Sequence, residues 1–413
     1  MIQFEEFQLE NGLQVIVHED PNSTLVCMNV LYRVGSRNES PDRTGFAHLF
    51  EHLMFGGSKH ISNFDTPLQA VGGDNNAFTS PDITNYYVTI PSHNVETAFW
   101  LESDRMLSLS FDPEVLEVQR KVVIEEFKQR YLNQPYGDLW LKLRPMAYKV
   151  HPYRWATIGK EIRHIEEATM DDVKNFFGRF YGPNNATLVL AGGITLAQAK
   201  TLTQKWFGPI PSIAMAPQVI PTEPPQNENR FQKLEAEVPS NALYKVYHMP
   251  ARMDSGYYAS DLLSDLLGRG KSSMLYQELV QDQQIFNSIS AYIMDSADPG
   301  LLTISGKLRD GASFEAAEAG IDKIIQKLKS GKVDDTNIES VKNQAESSIA
   351  FGEVEVLNRA MGLAYSAFLG NPDLINQDLE KVRAVTKSNI LDQAHDILQD
   401  NNSSTIHYHK TSA

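Results

Sequence analysis

A segment near residue 170 recurs near residue 387, and a chain built from two copies of one unit has few folds open to it. Thr169-Met170-Asp171-Asp172-Val173 opens a helical stretch to Phe180, which leads through Asn184-Asn185 into Ala186-Thr187-Leu188-Val189-Leu190. Thr386-Lys387-Ser388-Asn389-Ile390 opens a helical stretch to Leu398, which leads through Asn401-Asn402 into Ser403-Ser404-Thr405-Ile406. The offset is 217 residues from Thr169 to Thr386 and again from Asn185 to Asn402. Each copy reads as a threonine N-cap, an amphipathic helix, an Asn-Asn turn and a strand. Between the copies lie Pro209, Pro211, Pro217, Pro221, Pro224 and Pro225. Proline removes donors and fixes φ, so this stretch reads as an extended linker. A chain of 413 residues also exceeds what one core usually supports. These features predict a domain over 1–210, a linker over 211–229 and a homologous domain over 230–413.

Strands are legible at Leu13–His18, Leu25–Val34 and Thr84–Pro91. Helices are expected over Asp42–Phe55, Asp112–Leu132, Thr169–Phe180, Tyr257–Leu267 and, with breaks, Val333–Leu369. The mixture predicts an α+β fold, each domain a mainly antiparallel sheet packed with helices. Composition is that of a globular protein, 42% hydrophobic and 22% charged. No run approaches the roughly 18 apolar residues of a membrane helix. The net charge of -15 argues against a nucleic-acid partner, which would demand a basic face. Met1 to Glu6 lacks the basic and apolar regions of a secretory signal, so a cytoplasmic location is expected, or a periplasmic one if a signal has been removed. Cys27 is the only cysteine, which excludes an internal disulfide and a cysteine zinc site.

His48-Leu49-Phe50-Glu51-His52 carries the chemistry. It follows Thr44, which offers a cap, and ends at the helix stop Gly56-Gly57. His48 and His52 are four apart, so both imidazoles project from one helix face and can reach one metal ion. Glu51 lies on the adjacent strip, able to reach water at the metal without ligating it. A two-histidine site needs a third ligand, typically a carboxylate. The helix begun by Asp112 and Pro113 offers Glu126, which borders the buried side one turn after Val122 and Val123. Glu125 is nearly as plausible by helical geometry alone.

These motifs resemble those of the pitrilysin or insulinase family of zinc peptidases, over almost the whole chain. His48-x-x-Glu51-His52 matches the family's zinc motif, and Val122-Val123-Ile124-Glu125-Glu126 its second motif, whose last glutamate is the third ligand. The resemblance therefore favours Glu126 over Glu125 and implies one Zn2+ per chain, Glu51 as general base, and two clam-like halves. Gly72 to Thr79, followed by Thr84-Asn85-Tyr86-Tyr87, resembles the family's edge strand, which implies that Asn76, Ala77, Phe78 and Thr79 pair with an extended peptide. The family's glutamate seven residues before the third ligand is here Gln119, which can still hydrogen-bond but brings no charge. The family's C-terminal Arg/Tyr pair falls on Val280 and Asn287, neither of which can play that part. Arg269 and Tyr276 have the same spacing but align elsewhere. The resemblance thus implies the zinc chain of a heterodimer, with a related subunit supplying the pair. A self-sufficient homodimer and a non-catalytic scaffold subunit are the alternatives. His407 and His409 in the final strand read as a solvated face. Gly268 to Ser273 fails the phosphate-loop spacing and reads as a turn before a helix. His18 and His60 read as structural or exposed.

Overall fold

A computed structural model describes residues 1–215 and 218–411, so Pro217 of the expected linker lies outside the described residues. The described part of 211–229 contains no helix or strand. The chain forms two compact units, each of three segments: Met1–Gln129, Trp155–Pro221 and Ala350–Gln377 in the first, Arg130–Arg154, Thr222–Ile349 and Asp378–Ala413 in the second.

The first unit holds strands β1 (Glu5–Gln8), β2 (Gln14–Glu19), β3 (Leu25–Tyr32), β4 (Asp74–Thr79), β5 (Thr84–Pro91) and β6 (Ala186–Gly192). They form one sheet in the order β1-β2-β6-β3-β5-β4. Only β2 and β6 run parallel; the other pairs are antiparallel. Every residue of β6 is buried, as expected for a central strand covered on both faces. β4 is an edge strand whose exposure alternates along its length. The second unit holds β7 (Arg230–Ala236), β8 (Ala242–His248), β9 (Phe286–Met294), β10 (Leu301–Leu308) and β11 (Ser403–Lys410), in the order β7-β11-β8-β10-β9. Here too one pair, β7 with β11, runs parallel and the rest antiparallel.

The two sheets therefore share one topology, with β2, β6, β3, β5 and β4 answering to β7, β11, β8, β10 and β9. The offset of 217 read from the sequence recurs in the element starts. It separates Leu25 from Ala242, Thr84 from Leu301, and Ala186 from Ser403. The helices Met170–Phe180 and Lys387–Ile397 keep it too, each opened by a capping box on Thr169 or Thr386. The α+β reading is thus correct, and tandem duplication accounts for it.

Two details differ from the sequence reading. The helix expected from Asp42 starts at Phe46, because Gly45 adopts a left-handed φ of 88°. Thr44 does not cap it; its hydroxyl bonds His164 Nδ1 at 2.8 Å and accepts from the Lys160 amide at 2.8 Å. His407 is buried rather than solvated, because its Nε2 lies 3.0 Å from Glu318 Oε1 and its ring stacks on Phe314. His18 is buried against the Gln3 carbonyl and Arg359, whereas the exposed His60 bonds Asp104.

Beneath β5 and the histidine helix the first unit buries an ion pair. Arg105 and Glu102 are each 1% exposed, and Arg105 donates through Nε and Nη2 to both carboxylate oxygens. The rings of Phe55, Phe64 and Tyr86 lie over the guanidinium at 4.4 to 5.1 Å. Breaking such a pair from one side leaves a buried charge without compensation. We predict that Arg105→Ala lowers unfolding free energy by about 3–5 kcal/mol in urea titrations. Arg105→Met with Glu102→Leu should recover most of it. A single-variant loss under about 1 kcal/mol would contradict this role.

Candidate metal centre

The histidine helix, Phe46–Leu53, buries Phe46, Ala47, Leu49, Phe50 and Leu53 and leaves His48, Glu51 and His52 on its other side. Phe50 stacks on Tyr181 at 5.1 Å and meets Phe176 in a tilted contact at 4.8 Å, which fixes the rotation of the helix about its axis. The glutamate helix, Pro113–Phe127, packs beside it. Asp112 caps this second helix by accepting from the Glu114 amide at 2.8 Å. Leu116, Val123 and Phe127 form its buried stripe. Gly56 permits the close approach, since a Cβ there would lie 2.3 Å from Val115 Cγ1.

On these supports the three side chains meet. Glu126 Oε2 lies 3.7 Å from His48 Nε2 and 3.4 Å from His52 Nε2. One ligand atom from each residue falls within 4.8 Å of the others, and no other such group of His, Cys, Asp or Glu occurs among the described residues. Two atoms bound to one tetrahedral zinc at about 2.0–2.1 Å lie roughly 3.3 Å apart, so the donor set fits that ion. Glu125 does not join them: its side chain is 59% exposed and pairs with Lys128, whereas that of Glu126 is 17% exposed.

Glu51 is half-buried beside the cluster, and burial raises its pKa. The Thr79 hydroxyl opposes that shift by donating to Glu51 Oε2 at 2.7 Å. Thr79 thus links the carboxylate to β4, a connection the sequence does not reveal. Asn76, Ala77, Phe78 and Thr79 all lie on that edge strand. Gln119 is half-buried two turns before Glu126 and makes no side-chain hydrogen bond among the described residues.

Glu39 is the site-supporting residue that sequence reasoning misses. Its carboxylate is buried and accepts from the Gly45 and Ala47 amides at the start of the histidine helix. Burial pushes its pKa up to about 8, against the pull of those amides. In the second unit, the offset of 217 brings Asp265 and Arg269 to the positions of His48 and His52, and Asn343 to that of Glu126. Arg269 donates to Asp265 at 2.8 Å and to Ser348 at 3.0 Å. Val280 packs on that unit's core, and Asn287 donates to the Leu308 carbonyl.

Two helices thus bring two histidines and a glutamate together beside a further carboxylate, a group able to hold a metal ion on a duplicated α+β fold. Residues 14–152 match the family profile described as "Insulinase (Peptidase family M16)", and residues 167–345 that described as "Peptidase M16 inactive domain". The chain is 32% identical to the zinc protease PqqE of Helicobacter pylori, over 82% of this chain and 77% of that protein. It is 23% identical to the mitochondrial-processing peptidase subunit beta of Saccharomyces cerevisiae, over 83% of this chain and 77% of that one. The crystal structure of a protease from Helicobacter pylori superimposes with a TM-score of 0.93 at 28% identity, covering 99% of this chain and 100% of that one. The chain belongs to peptidase family M16, the insulinase or pitrilysin family of zinc metallopeptidases.

Removal of one ligand should show in metal-linked stability. One equivalent of zinc is expected to raise the Tm of the metal-free protein. Glu126→Gln should abolish most of that rise, and Glu125→Gln should preserve it. The reverse pattern in thermal melts would assign the ligand to Glu125.

Proposed function

We propose that the chain is a zinc metalloendopeptidase acting on extended peptides or unfolded segments, with zinc held by His48, His52 and Glu126 and Glu51 as general base. The convergence of those three side chains next to a half-buried, otherwise unligated glutamate is the observation that carries this reading. Zinc, when bound, supplies a Lewis acid that polarises a peptide carbonyl and makes water a better nucleophile. Glu51 takes the proton from the attacking water and returns it to the leaving amine. Its bond to Thr79 keeps Oε2 oriented while this happens. Because Thr79 ends β4, the base and the peptide-pairing strand are held in one register. An extended peptide adds along Asn76 to Thr79 through backbone hydrogen bonds, which tolerates many side chains. Gln119 remains a candidate polar support for the ligands on the glutamate helix.

The partner reading rests on Val280 and Asn287, which are engaged in the second unit's own structure and offer neither a guanidinium nor a phenol. A related subunit carrying an Arg/Tyr pair would complete the site. The named β subunit among the relatives is consistent with that arrangement. Among the described residues, no helix is long and apolar enough to cross a membrane. A cytoplasmic location is the proposal, with the periplasm as the alternative.

Two variants test the mechanism on a quenched fluorescent peptide. Glu51→Gln should retain stoichiometric zinc and lose turnover by about 10²-fold or more; undiminished turnover would remove Glu51 as the base. Thr79→Val should lower kcat about tenfold with zinc content unchanged, the loss expected for a hydrogen bond to a charged group. A kcat equal to wild type would show that the Thr79 contact has no catalytic consequence.

A further inference from the structure

The histidine helix is eight residues long and opens without a capping side chain of its own. Its first amides are intrahelical orphans that need acceptors, and Gly45, which precedes them, has no side chain to cap them. Glu39 meets that need from outside the helix. Its Oε2 accepts from the Gly45 amide at 2.9 Å and its Oε1 from the Ala47 amide at 2.8 Å. Ala47 immediately precedes His48, so the second bond grips the backbone at the first ligand.

The anchor is itself fixed. Glu39 follows the short 3-10 turn Ser36–Asn38, and its amide donates to the Ser36 carbonyl. Trp155 Nε1 donates to the same carbonyl at 2.9 Å. On the other side, a Cβ on Gly45 would lie 2.6 Å from the Ile158 carbonyl oxygen, so the chain enters the helix along one path only. Thr44 is tied to His164 and Lys160 beside it. A carboxylate bridging two amides of the helix's opening turn in this setting controls both the axial position and the rotation of the helix. With 100° of rotation per residue, a small slip would swing both imidazoles away from Glu126.

We propose that Glu39 is a positioning residue for the metal centre: by bridging the Gly45 and Ala47 amides it sets where His48 and His52 meet Glu126. This rests on the reading of those three side chains as metal ligands. Glu39 touches neither metal nor substrate and acts through the helix alone.

The test is metal affinity, measured by competition with a chromophoric chelator for Zn2+, together with the visible absorption of the Co2+-loaded protein. Glu39→Gln keeps the shape and one good acceptor, and Glu39→Ala removes both. For folded Glu39→Gln, the Kd for Zn2+ should rise about tenfold, as for other residues that orient metal ligands, and the Co2+ bands should shift. Glu39→Ala should lose more if it folds. A merely structural Glu39 would lower the unfolding midpoint of the metal-free protein and leave both readouts unchanged. A Glu39→Gln Kd within about twofold of wild type with an unaltered Co2+ spectrum overturns the proposal. A wild-type chain that takes up neither metal instead overturns the metal-centre reading on which it rests.

Discussion

Two imidazoles four residues apart can share an ion only if a third donor reaches them from elsewhere in the fold, and here that donor is Glu126. The geometry depends on the packing of two helices, Phe46–Leu53 against Pro113–Phe127, and that packing depends on what lies beneath. Phe50 is held by Phe176 and Tyr181, and the neighbouring Tyr86 lies over the buried Arg105. Glu126 borders the buried stripe of its helix, which places its carboxylate at the seam rather than in solvent. A half-buried seam that gathers two imidazoles and two carboxylates is a ready place for a cation shared among them.

Among the described residues, the His/His/Glu group occurs in one of the two duplicated units. Both units build the same sheet topology, and each sheet ends in an edge strand, β4 or β9. At the offset positions the second unit has an Arg269–Asp265 pair and Asn343, a set that cannot reproduce two imidazoles and a carboxylate. The profile described as an inactive domain falls largely on this unit. The repeat thus preserves the scaffold while the side chains at the cluster positions differ between the copies.

Much of this was legible from residue spacing. The four-residue separation of the histidines dictates a shared helix face, and Asp112-Pro113 marks the start of the helix that brings Glu126. Spacing alone left Glu125 open, because adjacent helical residues differ by only 100° and both border the same face. What decides between them is tertiary: Glu125 points to solvent and Lys128. Glu39 is not legible in the sequence because it caps through an irregular turn, outside the N-cap spacing that signals such contacts. The buried Arg105–Glu102 pair is not legible at all, since sequence does not reveal that three aromatic rings lie over the guanidinium. The helix Val356–Phe368 falls within the broken helical stretch expected over Val333–Leu369, but the sequence does not show that Ala360, Leu363 and Ala364 pack with Ile16, Leu31 and Val189. Periodicity shows that a helix has an apolar face; it does not say which sheet receives it.

The most direct test of the central claim is X-ray absorption at the zinc edge on the zinc-loaded chain. The account predicts a single site with two imidazole nitrogens and carboxylate oxygen in its inner shell, lost when His48 and His52 are both replaced by Ala. An inner shell without imidazoles, or one that survives that double replacement, would contradict it.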